Sequence, residues 1–409
     1  MTIDYLALGE ELDEDEYLIC EYTVKSDLDI VTAGKRIAEE ESTGTWTRPT
    51  TLSEDIFKKY GAKVTKAEGN RVEIGYPVID FSGEIGEIPQ ILSIVAGNLF
   101  GLDSLDGVRL VDIHIPQETI DRYPGPQFGI KGLRKILDRP DKPLIGTIVK
   151  PKIGLPPKEF ADYVYQAGKG GLTNSKDDET LVDQDFCPLE DRVSHVSESL
   201  DRLEEEDHKM IHAHNISTSG HRILEAADVA LENGARQLMV DVLTVGFAGV
   251  QALAEDLSIK VPIHVHRAMH AAITKNPEHG ISMPVIGKLV RLVGGDALHI
   301  GTYGIGKMHA DVSEEMYSRE VITEDMKGLD PMMPVASGGL HPGMIDKLME
   351  KSGPDVQIQA GGGVSGHPEG VRSGAAALRQ AVDAAYKDIG LRDYAKDHKE
   401  LRKALEKWM

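Results

Sequence analysis

The stretch LIGTIVKPKIGLPPKEFADYVYQAGKGGLTNSKDDE, residues 144–179, holds two short apolar runs separated by an amphipathic segment. Leu144 to Lys150 and Gly171 to Ser175 have the length and composition of buried strands, while Pro157 to Gly168 has apolar residues at helical spacing. Strand, helix and strand in that order predict a βαβ unit. The alternation continues through Lys209 to His214, Gln237 to Val242, Ile263 to His266, Ala297 to Gly301, Met333 to Ala336 and Val356 to Ala360. Helical patterns such as His221 to Asn233 and Met283 to Leu292 fill the gaps. Eight βα units in roughly 250 residues predict an α/β fold of the (β/α)8 TIM-barrel type, whose reactive groups gather where the strands end. A doubly wound parallel sheet is the competing arrangement.

Upstream the pattern differs. Residues 1–124 mix strand-like runs, Tyr17 to Val24 and Arg71 to Pro77, with helical ones, Asp29 to Glu41 and Ile88 to Gly97. This predicts a smaller α+β domain of ferredoxin-like type ahead of a barrel domain spanning 125–409 with C-terminal helices. A chain of 409 residues is long enough for both. The formal charge of −22 argues against a nucleic-acid footprint and against an anionic membrane surface. Cys20 and Cys187, far apart in sequence, form neither a disulfide framework nor a metal-spaced pair, which fits a reducing cytoplasm. The N-terminus lacks a basic region followed by an apolar core, and no apolar stretch reaches membrane-spanning length, so an unprocessed cytoplasmic protein is expected.

Chemistry concentrates at the predicted strand ends. Lys176 stands beside Asp177, Asp178 and Glu179, and Asp178 and Glu179 offer the hard oxygen ligands that Mg2+ prefers. An ammonium would repel that ion. A deprotonated Lys176 that took up carbon dioxide as a carbamate would instead become an anionic oxygen ligand and complete a three-residue site. The competing reading is a solvated ion-pair cluster. Lys150 and Lys152 interrupt the apolar run Gly146 to Leu155; two neighbouring ammonium groups in a partly desolvated pocket are expected to depress one another's pKa, making one a proton donor or acceptor. Alternatively they are solvated lysines at a strand end.

His264, His266, Arg267 and His270 put four basic side chains within seven residues, with the first two on one strand face and the Arg267 fork suited to phosphate. The loops SGGLHPG from Ser337 and QAGGGVSGHP from Gln359 follow the seventh and eighth strands, where barrels often hold phosphate on exposed backbone N–H groups. A second anion near Arg267 and His299 would make the substrate one with phosphate at both ends.

The ensemble GTIVKPKIGL, GGLTNSKDDE, HVHRAMHA, HIGTYGIGK, SGGLHPG and AGGG, with ESTGTWT and AGNLFG in the first domain, resembles the large subunit of ribulose-1,5-bisphosphate carboxylase/oxygenase, RuBisCO, over nearly the whole chain. HRAMHAAITK and QAGGGVSGHPEG are most similar to the archaeal form III branch. The resemblance implies that Lys176, as its carbon dioxide carbamate, binds Mg2+ with Asp178 and Glu179, and that the ion polarises ribulose bisphosphate as a Lewis acid. It implies proton transfer by the carbamate, Lys150 and His266, electrostatic support from Lys152, and a lid lysine at Lys307 that reaches the incoming carbon dioxide. Arg267 and His299 would hold one phosphate, while Ser337, Gly338, Gly339, Gly361 and Gly362 line the rest of the substrate and the other phosphate. Glu40, Thr45, Trp46 and Asn98 match positions that complete a neighbouring subunit's site, so a homodimer or an assembly of dimers is implied, without a small subunit.

Bland readings compete in the first domain: Glu40 as acidic helix surface, Trp46 as core, Asn98 as a C-cap. After Lys307 the family usually continues with an acid and a glycine, whereas this chain reads Met308-His309-Ala310, and the segment up to Ser337 is shorter than usual. The expected activity is carboxylation, with oxygenation, of ribulose bisphosphate through an enediolate to two 3-phosphoglycerate. The alternatives are a RuBisCO-like protein that enolises, isomerises or decarboxylates another sugar phosphate, and a non-catalytic metabolite-binding protein.

Overall fold

The computed structural model describes residues 3–45, 47, 49–82, 87–307 and 311–409. The chain divides into two compact units: Met1–Tyr123 with Met269–Leu289, and Pro124–Ala268 with Val290–Met409. Its strands in chain order are β1 Tyr17–Lys25, β2 Lys63–Glu68, β3 Arg71–Pro77, β4 Gly107–His114, β5 Leu144–Ile148, β6 Asn174–Lys176, β7 Ile211–Asn215, β8 Gln237–Asp241, β9 Ile263–His266, β10 Gly280–Ile281, β11 Ala297–Gly301, β12 Met333–Ser337 and β13 Gln357–Gln359.

In the first unit the sheet order is β10-β4-β1-β3-β2, in which β1 pairs antiparallel with both β3 and β4. Alternate residues of β1 are buried, with Leu18, Cys20, Tyr22 and Val24 on the covered face, as expected of a sheet packed on one side. Helix Ile30–Glu40 turns Ala33, Ile37 and Ala38 inward and is N-capped by Asp29, whose side chain accepts from the Thr32 amide. The two-residue strand β10 escaped the sequence reading. It is held by partners no local pattern reveals: Arg109 Nη1 donates to the carbonyls of Thr274, at 2.9 Å, and Asn276, and Lys25 meets Glu278 at 2.8 Å.

In the second unit eight parallel strands close in the order β11-β12-β13-β5-β6-β7-β8-β9. Their residues are buried almost without exception, because helices cover one face and the barrel interior the other. The predicted strand at Gly171 to Ser175 is displaced: Gly171 has φ +94°, Thr173 bonds Ile145, and the paired strand is Asn174–Lys176. Lys176 is thus the last residue of the strand rather than one beyond it. Cys20 and Cys187 are both unpaired and buried. Among the described residues no helix is long and apolar enough to cross a membrane.

Candidate active site

The alternation of β6, carried one residue past its end, sends the side chains of Lys176 and Asp177 to opposite sides of the barrel wall. Lys176 is 1% exposed, and its Nζ lies 3.6 Å from Met239 Sδ, a residue of β8, and 3.8 Å from Glu179 Oε2. Burial disfavours the ammonium and outweighs the pull of Glu179, Asp178 and Asp241, so the amine sits below the ordinary lysine value. Glu179 is the converse: burial opposes its charge, yet Lys176 and His266 hold its carboxyl below the usual range. Asp178 is 1% exposed; its Oδ2 accepts from Lys150 Nζ at 2.6 Å and its Oδ1 from Thr180 Oγ1 at 2.9 Å.

The expectation that Lys150 and Lys152 depress one another is corrected here. Each faces carboxylates: Lys150 pairs with Asp178, and Lys152 Nζ lies 3.1 Å from Glu179 Oε1 and 3.6 Å from Asp178 Oδ1. Burial works against the charge of Lys152, but the two acids outweigh it and its pKa is raised. The depressed lysine is Lys176.

Around this core the neighbouring strand ends converge. His266 Nδ1 lies 2.6 Å from Asp241 Oδ1, which fixes the ring proton on Nδ1 and turns Nε2 toward Glu179 Oε2 at 3.8 Å. Burial, with Lys176 nearby, lowers the His266 pKa, leaving a neutral imidazole able to accept a proton. His264 and His299 share an Nε2 to Nε2 hydrogen bond of 2.8 Å, and burial keeps both rings neutral. Burial also lowers Arg267, to about 10, against the pull of Glu315 and Glu314, and no hydrogen bond or ion pair holds its guanidinium among the described residues. A desolvated arginine without a fixed partner suits an anion. His270 belongs to the other compact unit, where its Nδ1 meets Thr274 Oγ1 at 2.9 Å.

The glycine loops leave room for the lid. Gly339 has φ +80°, and a Cβ there would meet the Lys307 side chain at 2.6 Å, so any other residue would be strained and displace that lysine. The Lys307 amide donates to the Gly338 carbonyl at 2.9 Å. Gly361 lies where a Cβ would come within 3.0 Å of Lys150 Cε, and Gly362 opens the short helix Gly362–Ser365. Glu315, unremarked in the sequence, accepts from the amides of Thr302 and Gly304 at 3.2 and 2.8 Å and so steadies the approach to the lid. Met308, His309 and Ala310 lie outside the described residues.

Outside the barrel wall the sequence reading missed a saturated network. Asp177 accepts from Arg192 Nε at 3.1 Å, His212 Nε2 at 2.8 Å and the Asn215 amide at 2.7 Å, and His212 Nδ1 meets Ser175 Oγ at 2.6 Å. Asp177, His212 and His214 are close enough to share an ion. Nevertheless, Arg192 occupies one Asp177 oxygen and both His212 nitrogens are engaged, so this cluster is a structural clamp rather than a metal site.

Comparison with known proteins gives this arrangement its context. The family profile described as "Ribulose bisphosphate carboxylase large chain, catalytic domain" matches residues 129–408, and that for the N-terminal domain matches residues 5–119. The chain belongs to the RuBisCO large-chain family. It is 39% identical to a ribulose bisphosphate carboxylase of Methanocaldococcus jannaschii over 99% of this chain and 100% of that protein. An octameric RuBisCO of Pyrococcus horikoshii, solved with sulfate, superposes with a TM-score of 0.92 at 38% identity, covering 99% and 96% of the two chains. A dimeric archaeal RuBisCO of Hyperthermus butylicus gives 0.90 at 35% identity, covering 99% of each. Both domains and the archaeal affinity thus match the resemblance read from the motifs.

The RuBisCO positions of the first unit are only partly in view. Asn98 Nδ2 donates to Glu40 Oε1 at 3.5 Å, bringing two expected site residues together, and Thr45 is half-buried in an irregular stretch. Trp46 lies outside the described residues. Glu41, beside Glu40, is buried and accepts from the amides of Leu99 at 2.5 Å and Gly97 at 3.2 Å. It therefore pins the turn that carries Asn98. Burial raises its pKa to about 7 despite these bonds.

Proposed function

We propose that this chain carboxylates ribulose 1,5-bisphosphate with carbon dioxide and water to give two 3-phosphoglycerate through an enediolate, and oxygenates the same intermediate. The observation that carries the reading is Lys176: a buried amine, below the ordinary lysine value, facing Asp178 and Glu179 inside the barrel. An amine is carbamylated only in its neutral form, and burial supplies that form. The donor set fits Mg2+, since two carboxylates and a carbamate offer hard oxygens. When bound there, the metal would supply Lewis-acid polarisation of the substrate's ketone and adjacent hydroxyl.

Lys176, once carbamylated, would ligate the metal with Asp178 and Glu179 and take the C3 proton. Lys150 would release Asp178 to the metal and later protonate the product carbon, while Lys152 keeps its charge beside the acids. His266, with its proton fixed on Nδ1, would exchange protons with the substrate hydroxyls through Nε2. Arg267 and His299 would hold one phosphate, and Ser337, Gly338, Gly339, Gly361 and Gly362 the rest of the substrate with its second phosphate. Lys307 would meet the carbon dioxide as the lid closes and excludes water. Glu40, Thr45, Trp46 and Asn98 would complete the site of a second copy, making a homodimer the smallest active unit, consistent with the dimeric and octameric relatives.

The test is direct. Purified protein with Mg2+, labelled bicarbonate and ribulose bisphosphate should pass label into phosphoglycerate. Tight binding of the bisphosphate with no labelled product would contradict carboxylation.

A further inference from the structure

At the opposite end of the barrel from the reactive groups lies a cleft of about 460 Å³, lined by residues that precede β5 and β6, by His208 ahead of β7, and by helix Val371–Tyr386. Its volume falls in the range of small-molecule sites, roughly 300–1,000 Å³. Four full cations line it: Arg139, Lys169, Arg372 and Arg379, with His208 beside them and Glu400 the one acid. In a chain of formal charge −22 such an excess is against the general trend.

Pairing does not explain the excess. Lys169 meets Glu206 at 2.6 Å, and Arg379 meets Asp383 at 3.1 Å while its side chain crosses the Gly171 backbone, where a Cβ would stand 2.8 Å from Nε. Glu400 is already engaged by Gln380 at 2.8 Å. Arg139 is half-buried and Arg372 exposed, and neither guanidinium has a hydrogen-bond or ion-pair partner among the described residues. Arg372 and Ser373 also sit in the first turn of a 16-residue helix whose N-cap, Gly370, provides no side-chain acceptor, which adds partial positive charge to the same wall. Among the described residues lining the cleft the His208 imidazole, 3.3 Å from Lys169 Nζ, is the one ring, so the cleft has no Phe, Tyr or Trp face on which a base would stack.

We propose that this cleft is a second anion site, distinct from the catalytic one, that takes a compact hydrophilic molecule with two phosphoryl groups, bridged by the free guanidinium forks of Arg139 and Arg372. Arginine forks bind phosphoryl oxygens in bidentate fashion, and two such forks on different elements favour a ligand anionic at two points.

Inorganic pyrophosphate is the probe, titrated calorimetrically into the intact protein at low ionic strength without divalent metal. Because the catalytic site would also hold phosphate, Arg267→Ala and Arg139→Ala/Arg372→Ala are titrated beside the parent. One class of sites should persist in Arg267→Ala and weaken at least tenfold in the double variant, whose turnover without pyrophosphate stays at the parent's level. The exposed Arg372→Gln alone, which leaves the packing of Arg139 untouched, should weaken that class severalfold. Binding unchanged in the double variant, or abolished entirely in Arg267→Ala, overturns the proposal whether or not the chain proves to be a carboxylase.

Discussion

The two sides of the barrel wall at the end of β6 handle buried charge in opposite ways. On the outer face Asp177 is fully buried and saturated by Arg192, His212 and the Asn215 amide, which together hold its carboxyl far below the usual range despite burial. On the inner face, one residue away, Lys176 is equally buried; among the described residues it donates to the Asp177 carbonyl at 2.9 Å and the weak acceptor Met239 Sδ, its nearest carboxylate is 3.8 Å off, and its charge is disfavoured. A satisfied network stiffens a wall, whereas an unsatisfied group stores chemistry for a ligand. Asp177 keeps the backbone of Lys176 and Asp178 in place, so the outer face is what lets the inner one stay underpaired.

The largest effect should come from the inner face. Lys176→Ala removes the carbamate-forming amine, and labelled product should fall to background while circular dichroism stays that of the parent. Turnover like the parent's would erase the distinction between the faces. Next, Arg192→Met leaves Asp177 buried without its cation, a loss of about 3–5 kcal/mol of stability for a broken buried pair. Chemical denaturation should show it at neutral pH. Because Asp177 is depressed below its unfolded value of 3.8, the stability it contributes is present above that value and lost as pH falls further. The gap between parent and Arg192→Met should therefore narrow in acid. A variant as stable as the parent at pH 7 would mean the outer network is ornament.

A smaller effect belongs to the positioning of His266. Asp241→Asn should lower turnover on the order of tenfold to a hundredfold by loosening the ring, with substrate binding little changed; an equal rise in KM would place Asp241 in binding instead. The smallest concerns Glu41 in the first unit, whose carboxyl is raised from 4.5 to about 7. A raised acid contributes stability that is present below 4.5 and lost as pH rises through about 7. Glu41→Gln keeps the acceptor and removes the titration, so its melting temperature should gain on the parent's between pH 6 and 8. A constant difference across that range would show that Glu41 does not titrate there.

Much of this was legible in the residues. Eight apolar runs alternating with helical patterns revealed the barrel, and the polar residues gathered toward their C-terminal ends revealed its reactive end, because a buried strand is marked by its own apolar run. What stayed hidden depends on partners distant in sequence. Asp177 reads as one more acid in KDDE until Arg192 and His212 are seen against it. Glu41 reads as helix surface in EEES until the turn at Gly97 closes over it. The lysine expectation failed for the same reason: adjacency in sequence suggested mutual repulsion, while the fold set Lys150 and Lys152 against Asp178 and Glu179.

The central claim is that burial readies Lys176 for carbon dioxide. Carbon-13 NMR of the protein equilibrated with labelled bicarbonate and Mg2+ tests it most directly. The account predicts a carbamate resonance in the parent that is absent from Lys176→Ala; a parent without that resonance, or a Lys176→Ala variant that retains it, would contradict the account.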